Sequence, residues 1–269
     1  MTRTRHRGSA CAARRIKVPG VMWARVLAVL CGLALLSVAA PSCAPKPFST
    51  QTGPLAGGTV EIRYHGHNMV AVQDRLHRVL IDPYHPHLGF PIPSVTADLV
   101  LISERNLGND NLKAVQGPPR VFEEPGMFVM GDLTVVGVPT SLSTSKTARN
   151  TAFRFQLEGV DIVHLGEAET ADLTDQETAL LSGSDLLFVP IGGGTTLDAS
   201  SAAAVVRALT PRVAIPIHYR VGPSSLQIAE VQPFLERFPG RPVRKLPSRV
   251  RVSADSLPAP TEIWVLDWR

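Results

Sequence analysis

The sequence predicts an α+β protein, an αββα sandwich in which two mixed β-sheets pack face to face and helices cover the outer faces. Three observations predict this fold. Short β-rich runs dominate the chain from Thr59 onward. A second strand-rich block contains a hairpin turn at Glu158-Gly159. Helix signals appear only after that block, each accompanied by a buried-type strand. Strands grouped with a few helices are typical of layered sheets.

The individual elements follow in order along the chain. The first strands are TVEIRYHGH, MVAVQD, RVLIDPY and LVLIS, and the second block comprises MFVMGDLTVVGVPT and TAFRFQLEGVDIVHLG. Thr174 and Glu177 form a capping box before the helical run ETALL, and Asp198 can cap the helix ASSAAAVVRAL. The strands LLFVPIG and VAIPIHY flank that second helix, and RVRVSA and EIWVLDW close the chain. We therefore expect antiparallel meanders followed by strands that helices connect.

The N-terminal segment has the pattern of an export leader. Residues 22–43 read MWARVLAVLCGLALLSVAAPSC, with a basic start, an apolar run and then small residues. The apolar run is too short to span a bilayer comfortably, which favours an export signal over a permanent transmembrane helix. Cys43 follows small residues in a pattern that resembles the lipobox of bacterial lipoproteins, in which the cysteine is acylated. Ordinary signal cleavage near Ala40 is the alternative.

These features divide the chain into three parts. Residues 1–43 are predicted to be the leader, with Met22 as an alternative start, residues 44–58 a flexible tether, and residues 59–269 the folded domain. We expect an exported bacterial protein of the cell envelope whose partner is the membrane, reached through a lipid on Cys43.

Charge and cysteine content exclude several classes of function. The formal net charge is +4, but seven basic residues lie in the leader, ahead of the first acidic residue, Glu61. Removing these seven from the 27 basic residues leaves 20 against 23 acidic residues, so a nucleic-acid partner is not expected. All three cysteines lie at or before Cys43, and the folded domain can therefore contain neither a disulfide nor a thiolate metal site.

The order of motifs in the domain resembles that of the metallo-β-lactamase superfamily, in particular its small branch of ascorbate-phosphate-lactonase-like hydrolases. The resemblance covers nearly all of residues 59–268. It rests on seven segments in the family's order and approximate spacing: YHGHNM, VLIDPY, ADLVLIS, VVGVPT, DIVHLGEAE, LLFVPIGGGTTLDA and TPRVAIPIHYR. It implies an αββα fold and a metal-dependent hydrolase.

Most of the family's metal ligands are missing from this chain. The resemblance implies a His-x-His-x-Asp-His loop after Ser103, which would hold one or two zinc-like ions with closely spaced imidazoles. The matching positions are Glu104, Asn106, Gly108 and Asn109. The next histidine of the family would fall near Ser141, Leu142 or Ser143 and is also absent. The resemblance retains an acidic ligand at Glu167 and a histidine at His218. A catalytic metal typically takes about three protein groups, so the inherited site is expected to be empty or weak.

Other side chains could replace the lost ligands. His67, His85 and His87 lie in loops that this fold would place at the active-site edge, and Asp82 matches the family's structural aspartate, which orients ligands through hydrogen bonds. The alternative, which the sequence favours, makes His67 a turn residue and makes His85 and His87 polar loop residues. His164 on an apolar strand is expected to be a hydrogen-bonded core histidine. A relocated site could also recruit the carboxylate of Glu104 or Asp110, which are weak catalytic candidates.

Three functions follow from these alternatives. The leading hypothesis is a pseudo-hydrolase that needs no cofactor and binds an unknown small molecule or envelope protein in the old pocket. The second is an active hydrolase of an ester, lactone or phosphoester, which uses one divalent ion, zinc or manganese, in a rearranged site. The third is metal-free acid–base hydrolysis by Glu104 or Glu167 with His218. Whether the protein is an enzyme is left open at this point, and the fold alone does not decide it.

Overall fold

Two β-sheets packed face to face form the framework of the computed structural model, which describes residues 53–106, 108–141, 149–222 and 224–269. The predicted leader with Cys43, most of the predicted tether, Leu142 and Ser143 lie outside the described residues. Within the described ranges, none of the helices combines the length and the apolar character that a membrane span requires.

The strands of the described residues are numbered in chain order. They are β1 (Val60–Tyr64), β2 (Val70–Gln73), β3 (Arg78–Ile81), β4 (Val95–Thr96), β5 (Leu99–Leu101), β6 (Val115–Gln116), β7 (Arg120–Phe122), β8 (Gly126–Met130), β9 (Leu133–Ser141), β10 (Arg149–Leu157), β11 (Val160–His164), β12 (Leu186–Pro190), β13 (Val213–Ile217), β14 (Val243–Leu246), β15 (Arg249–Val252) and β16 (Glu262–Leu266).

Both large sheets are mixed, as predicted. The six-stranded sheet has the order β15-β1-β2-β3-β5-β7, antiparallel from β15 to β3 and parallel from β3 to β7. The eight-stranded sheet has the order β14-β16-β13-β12-β11-β10-β9-β8, with antiparallel pairing from β8 to β11 and parallel pairing from β11 onward. β4 and β6 form a separate two-stranded pair. The predicted antiparallel meanders and the turn at Glu158-Gly159 are confirmed.

Alternate side chains of the six-stranded sheet point to opposite faces, because strands have a period of two, and β3 therefore contributes to hydrophobic clusters on both faces. Val79 and Ile81 join the core between the two sheets, whereas Leu80 belongs to a second cluster on the opposite face. Tyr84 and Phe90, which follow β3 in the chain, are part of that second cluster. The segment after β3 therefore packs against the outside of the sheet.

The described residues form three α-helices: α1 (Asp175–Leu181), α2 (Ala199–Leu209) and α3 (Gln232–Leu235). The predicted caps are confirmed, since Thr174 and Glu177 form a capping box on α1 and the Asp198 side chain accepts from the Ser201 amide at the start of α2. α1 contacts β9 and α2 contacts β12, so both pack against the eight-stranded sheet.

The outer face of the six-stranded sheet is covered differently from the prediction. Irregular chain and two 3₁₀ turns, Pro86–Leu88 and Leu112–Ala114, lie between β3 and β6. This segment is rich in proline, which removes amide donors and interrupts α-helices. Among the described residues, this covering layer consists of loop rather than of the helix that an αββα sandwich would have there. The layer matters for function because it packs beside the turn that carries His67.

Candidate metal centre

His67 lies in the tight turn between β1 and β2. The Met69 amide donates to the Gly66 carbonyl at 3.0 Å, and His67 itself has a positive φ of 51°. Gly66, at φ 95°, allows the turn, because a Cβ there would lie 2.8 Å from the Phe90 ring. The turn is thus held between β1 and the covering layer, and it fixes the direction of the His67 ring.

His218 follows the last residue of β13 and is tied directly to that turn. Its backbone N–H donates to the His67 carbonyl at 2.9 Å, and the Tyr64 hydroxyl donates to the same carbonyl at 3.0 Å. His218 also has a positive φ, 49°. Because β1 and β13 belong to different sheets, these hydrogen bonds join the ends of the two sheets at one point.

Glu167 is presented by the turn that follows β11. Its amide donates to Asn150 Oδ1 at 2.8 Å, and Asn150 Nδ2 donates to the Leu165 carbonyl at 2.7 Å. Between them, Gly166 has φ 59°, and a Cβ at that position would lie 2.3 Å from the Cβ of Ser103. Only glycine fits this close approach, and the turn is therefore fixed by hydrogen bonds and by packing.

These three turns bring the side chains of His67, Glu167 and His218 together. One ligand-type atom from each lies within 4.8 Å of the others, and all three residues are buried. The centroids of the two imidazole rings are 4.4 Å apart, and His218 Nε2 lies 3.7 Å from Glu167 Oε1. The structure thus adds His67 to the two side chains that sequence reasoning kept as ligands. His67 thus lies in the turn, as the favoured interpretation has it, and also in a cluster that could hold a metal ion.

Two asparagine amides hold the Glu167 carboxyl group in place. Asn68 Nδ2 donates to Oε1 at 2.8 Å, and Asn109 Nδ2 donates to the same oxygen at 3.1 Å. Asn109 occupies a position where the resemblance implies a lost ligand, and here it contacts a ligand candidate instead. Sequence analysis did not identify Asn68, whose only signal was its place beside His67.

The donor set fits a divalent metal ion. Two imidazoles and one carboxylate match the His₂Glu sets of catalytic zinc sites, which leave one coordination position open. His67 Nδ1 is buried, and the described residues provide it with no hydrogen-bond partner. A buried polar atom of this kind is costly unless something binds it. The positive φ values of His67 and His218 place two strained residues in the same cluster, as is common at functional sites.

The hydrogen bonds of Thr196 select the tautomer of His218 that could bind a metal. The Thr196 hydroxyl donates to the Gly193 carbonyl at 3.3 Å and lies 3.3 Å from His218 Nδ1. With its proton used on Gly193, the hydroxyl accepts from Nδ1–H, which assigns the proton of the neutral ring to Nδ1. The lone pair then resides on Nε2, the nitrogen that faces Glu167.

The charges of the cluster are those of a site that needs a cation. Burial lowers the pKa of His218 to about 4, and burial together with the nearby His218 ring lowers the pKa of His67 well below its usual value. Burial also raises the pKa of Glu167 to about 7. Although the 3.7 Å separation of His218 and Glu167 is within ion-pair distance, a neutral imidazole forms no ion pair. Burial therefore keeps both imidazoles neutral and disfavours the ionised form of Glu167, an effect that a bound cation would offset.

Gly108 leaves space for the His67 ring. A Cβ at position 108 would lie 3.0 Å from His67 Cε1 and 2.9 Å from Asn106 Oδ1, so a larger residue there would press on the ring. The Gly108 amide donates to Asn106 Oδ1 at 2.7 Å, and Asn106 Nδ2 donates to Glu104 at 3.2 Å. Glu104, Asn106 and Gly108, three of the four positions where the family's ligands are missing, are thus joined by hydrogen bonds. The His67 ring lies in the space beside Gly108.

The remaining candidates lie outside this cluster. Asp82 is fully buried and accepts from both the amide and the hydroxyl of Ser103, at 2.7 Å and 2.8 Å, rather than from Asn106. His85 pairs with Asp110 at 3.0 Å. His87 is exposed, and its backbone carbonyl accepts a hydrogen bond from the Ser225 hydroxyl at 3.1 Å.

His164 has a structural environment. Its Nε2 lies 3.1 Å from the Asn68 carbonyl, and its Nδ1 accepts from the Gly166 amide at 3.0 Å. Both ring nitrogens are therefore satisfied in the neutral form, and burial lowers the pKa of His164 to about 4. The 3.9 Å separation of Nδ1 from Asp82 is consequently not an ion pair. His164 positions the turn that carries Glu167 and the residue that follows His67.

Sequence comparisons assign the chain to the superfamily that its order of motifs resembles. The profile of the beta-lactamase superfamily domain matches residues 61–218. A UPF0173 metal-dependent hydrolase of Thermococcus onnurineus is 28% identical over 195 residues, which cover 61% of this chain and 86% of that protein. Another protein of the same description, from Methanosphaerula palustris, is 25% identical over 218 residues, which cover 70% of this chain and 97% of the relative.

A solved structure supports the same relationship. A Thermotoga maritima protein, assigned as a Zn-dependent hydrolase of the metallo-beta-lactamase superfamily, superposes with a TM-score of 0.63 at 26% sequence identity. The match covers 77% of this chain and 98% of the other. The match therefore extends over nearly the whole of that protein, and the profile match over residues 61–218 includes His67, Glu167 and His218.

Proposed function

The chain belongs to the metallo-β-lactamase superfamily, and from that premise we propose that it is a metal-dependent hydrolase whose ion is held by His67, Glu167 and His218. The observation that carries the proposal is the convergence of three buried ligand-type atoms within 4.8 Å. The description of relatives as metal-dependent hydrolases supports it. This geometry favours an active, rearranged site over the decayed site that the missing loop histidines suggested.

Each residue of the cluster has a distinct role in this proposal. His218 offers Nε2 because Thr196 holds its other nitrogen, and Asn68 and Asn109 orient the Glu167 carboxylate. A divalent ion bound there would supply a Lewis acid that polarises the bond to be cleaved and makes a nearby water molecule more acidic. Zinc suits the two imidazoles, and manganese is the alternative for a site with a carboxylate.

Glu104 is our candidate for the group that accepts a proton from the attacking water. Its carboxyl group is half-buried, accepts a hydrogen bond from Asn106, and lies close enough to Glu167 for their charges to interact. Burial first, and then the charge of Glu167, raise the pKa of Glu104. A carboxylate with a raised pKa is a better base near neutral pH.

The proposed substrates are esters, lactones or phosphoesters, in which a metal ion can polarise a carbonyl or phosphoryl oxygen. The test is hydrolysis of p-nitrophenyl acetate, a homoserine lactone and bis-p-nitrophenyl phosphate by the full chain. We expect turnover of at least one substrate, its loss with chelator and its recovery with zinc or manganese. The matched control for the variant His67→Ala is His77→Ala, because His77 pairs with Asp74 and Asp132 away from the cluster.

The competing function is metal-free binding of a small molecule or envelope protein in the same place. The observation that favours it is the set of hydrogen bonds that joins Glu104, Asn106 and Gly108, positions where the family has ligands. If this function is correct, chelator leaves every property of the protein unchanged. Turnover that chelator abolishes, and that His67→Ala also abolishes, would exclude it.

We also propose that the protein is exported and anchored to a bacterial membrane through an acylated Cys43. The support is the apolar run and the small residues that precede Cys43 in the sequence. Mass spectrometry of the mature N-terminus tests this proposal. An acylated Cys43 supports it, and an unmodified end near Pro41 contradicts it.

A further inference from the structure

The outer face of the six-stranded sheet carries an excess of arginine side chains. In the pairing of β1 with β15, Glu61 lies opposite Arg251 and Arg63 lies opposite Arg249. Residues directly opposite one another on antiparallel strands share a face, and so do residues two apart on one strand. These four side chains therefore project from the same face, on the side away from the core between the sheets. We call this group the arginine face.

Glu61 pairs with two of these arginines, Arg251 and Arg249, and Arg63 has no acidic partner among the described residues. Arg251 Nε lies 2.8 Å from Glu61 Oε2, and Arg249 Nε lies 3.5 Å from Glu61 Oε1. Arg63 is exposed, and within the described ranges it makes no ion pair. Like charges directly opposite each other on a sheet destabilise the pairing, so the Arg63 and Arg249 pair would be relieved by an anion between them.

A cavity of about 310 Å³ lies at this cation pair, and Arg63, Arg249, Ala71 and Ser94 line it. Its lining also includes one carboxylate, Glu61, and a third arginine, Arg78. The volume is at the lower end of the range for small-molecule sites. Ala71 is the β2 partner of Arg63 on the other side, and its small side chain leaves room in front of the guanidinium group. The Ser94 hydroxyl provides a further hydrogen-bond donor, whereas the Thr96 hydroxyl donates to Gln116 Oε1 at 3.4 Å.

A buried histidine provides independent evidence for a ligand. His65, two residues after Arg63, also lines the cavity and is only 6% exposed. Its Nε2 is buried, and no hydrogen-bond partner for it exists among the residues of the described structure. Buried polar nitrogens in folded proteins are normally satisfied by protein, water or ligand. An oxyanion held by the two arginines would be in a position to satisfy it.

We propose that this cavity binds a phosphate group, either of a free phosphate or of an anionic phospholipid headgroup. Arginine recognises phosphate oxygens with parallel N–H donors, and two arginines supply the charge. The headgroup is a possible source because Gly53 contacts the arginine face: Arg251 Nη2 donates to its carbonyl at 2.6 Å. Gly53 lies ten positions after Cys43, a stretch of chain that spans at most about 35 Å, so an anchor on Cys43 would keep this face near a membrane.

The site is separate from the metal centre, and its test does not depend on the proposed hydrolase activity. Binding of inorganic phosphate to the full chain is measured by isothermal titration calorimetry, with EDTA present and ionic strength held constant. We expect saturable binding that Arg63→Gln weakens about tenfold or more, since it removes charge-assisted hydrogen bonds. Ala71→Leu should weaken it comparably by filling the cavity without changing the charge. Lys245→Gln, an exposed charge removed from the other sheet, should change it less than about twofold.

Vesicles distinguish the two sources of phosphate. The full chain is sedimented with phosphatidylcholine vesicles that either contain or lack one quarter phosphatidylglycerol, and unfolding temperatures confirm that each variant is folded. Stronger binding to the anionic vesicles, lost in Arg63→Gln and Ala71→Leu, identifies the headgroup as ligand. Phosphate binding with no preference for anionic vesicles identifies a free phosphate. If neither phosphate binding nor vesicle binding is weakened in Arg63→Gln and Ala71→Leu, the proposal is overturned.

Discussion

The backbone N–H of His218 donates a hydrogen bond to the carbonyl of His67 at 2.9 Å, across the ends of the two sheets. Both residues have positive φ values, 51° for His67 and 49° for His218. Such conformations cost a residue with a side chain on the order of 1 kcal/mol or more, and they persist only where the surrounding fold imposes them. The fold therefore holds the two imidazoles together before any ion binds.

Gly108→Ala should weaken metal binding by displacing the His67 ring. The new Cβ would meet His67 Cε1 at 3.0 Å and Asn106 Oδ1 at 2.9 Å, and overpacking of this kind costs about 1–3 kcal/mol of unfolding free energy. The control is Gly57→Ala, whose nearest neighbour would be 3.7 Å away. Zinc affinity and denaturant unfolding check both variants. Equal zinc affinity in Gly108→Ala and wild type would show that the ring does not depend on this space.

Asn109→Ala should lower metal affinity about 10- to 100-fold, the usual effect of removing a group that orients a ligand. The Asn109 hydrogen bond lowers the pKa of Glu167, so its loss should raise that pKa and shift metal binding to higher pH. Asn111→Ala is the control, because the Asn111 amide donates to the Tyr84 carbonyl and not to Glu167. Competition with a chelating dye at several pH values measures the affinity. A variant with wild-type affinity and pH dependence would remove Asn109 from the site.

Thr196→Val should lower metal affinity, while Thr196→Ser should keep it. Valine has nearly the shape of threonine but no hydroxyl, so the proton of His218 would no longer be held on Nδ1. Serine retains the hydroxyl and thereby separates the hydrogen bond from packing. Imidazole nitrogen chemical shifts of the metal-free protein report the tautomer directly. An unchanged Nδ1–H tautomer in Thr196→Val would show that another contact selects it.

Glu167→Gln should stabilise the metal-free protein at neutral pH. Burial raises the folded-state pKa of Glu167 from the ordinary 4.5 to about 7. Between these values the folded state keeps a proton that the unfolded chain has released, so the contribution of Glu167 to stability falls as the pH rises. The unfolding free energy of the variant minus that of wild type should grow from near zero at about pH 4.5 to about 3 kcal/mol above pH 7.

The lowered pKa of a buried histidine changes stability with pH in the direction opposite to that of Glu167. The lowered pKa of His218 makes stability rise with pH between about 4 and 6.5, but it does so in both proteins and cancels in the difference. Glutamine keeps the oxygen that accepts from Asn68 and Asn109, so the packing is preserved. The exposed substitution Glu236→Gln serves as control and should give the wild-type curve. A difference between Glu167→Gln and wild type that does not change with pH would contradict burial of an ionisable Glu167.

Local features of the fold were predictable because their causes lie within a few residues. The capping box is predicted from Thr174 and Glu177, which are three residues apart, and the structure confirms it. The cap at Asp198 is predicted from its place before the helical run and is also confirmed. The turn at Glu158-Gly159 was also correct, since both residues adopt positive φ. The covering layer between β3 and β6 was not predicted, because proline-rich irregular chain has no periodicity that reveals what it packs against.

The metal centre was only partly predictable because its cause is tertiary. His67 and Glu167 are 100 positions apart in the sequence, and no spacing rule connects them. The family pattern directed attention to the loop after Ser103, where the ligands are missing. What the pattern could not show is the hydrogen bond from His218 to the His67 carbonyl, which turns a loop histidine toward the carboxylate. Of the three candidate ligands, the family pattern indicates Glu167 and His218 as retained positions, and the sequence offers His67 only as a weak candidate.

Elemental analysis of the purified full chain tests the central claim most directly. After equilibration with zinc and with manganese and removal of free ion, we predict about one divalent ion per chain for one of the two metals. His67→Ala should lose this ion, and His77→Ala, a histidine outside the cluster, should retain it. A wild-type chain that holds no ion, or a His67→Ala chain that holds a full equivalent, would contradict the claim that His67 completes a metal site with Glu167 and His218.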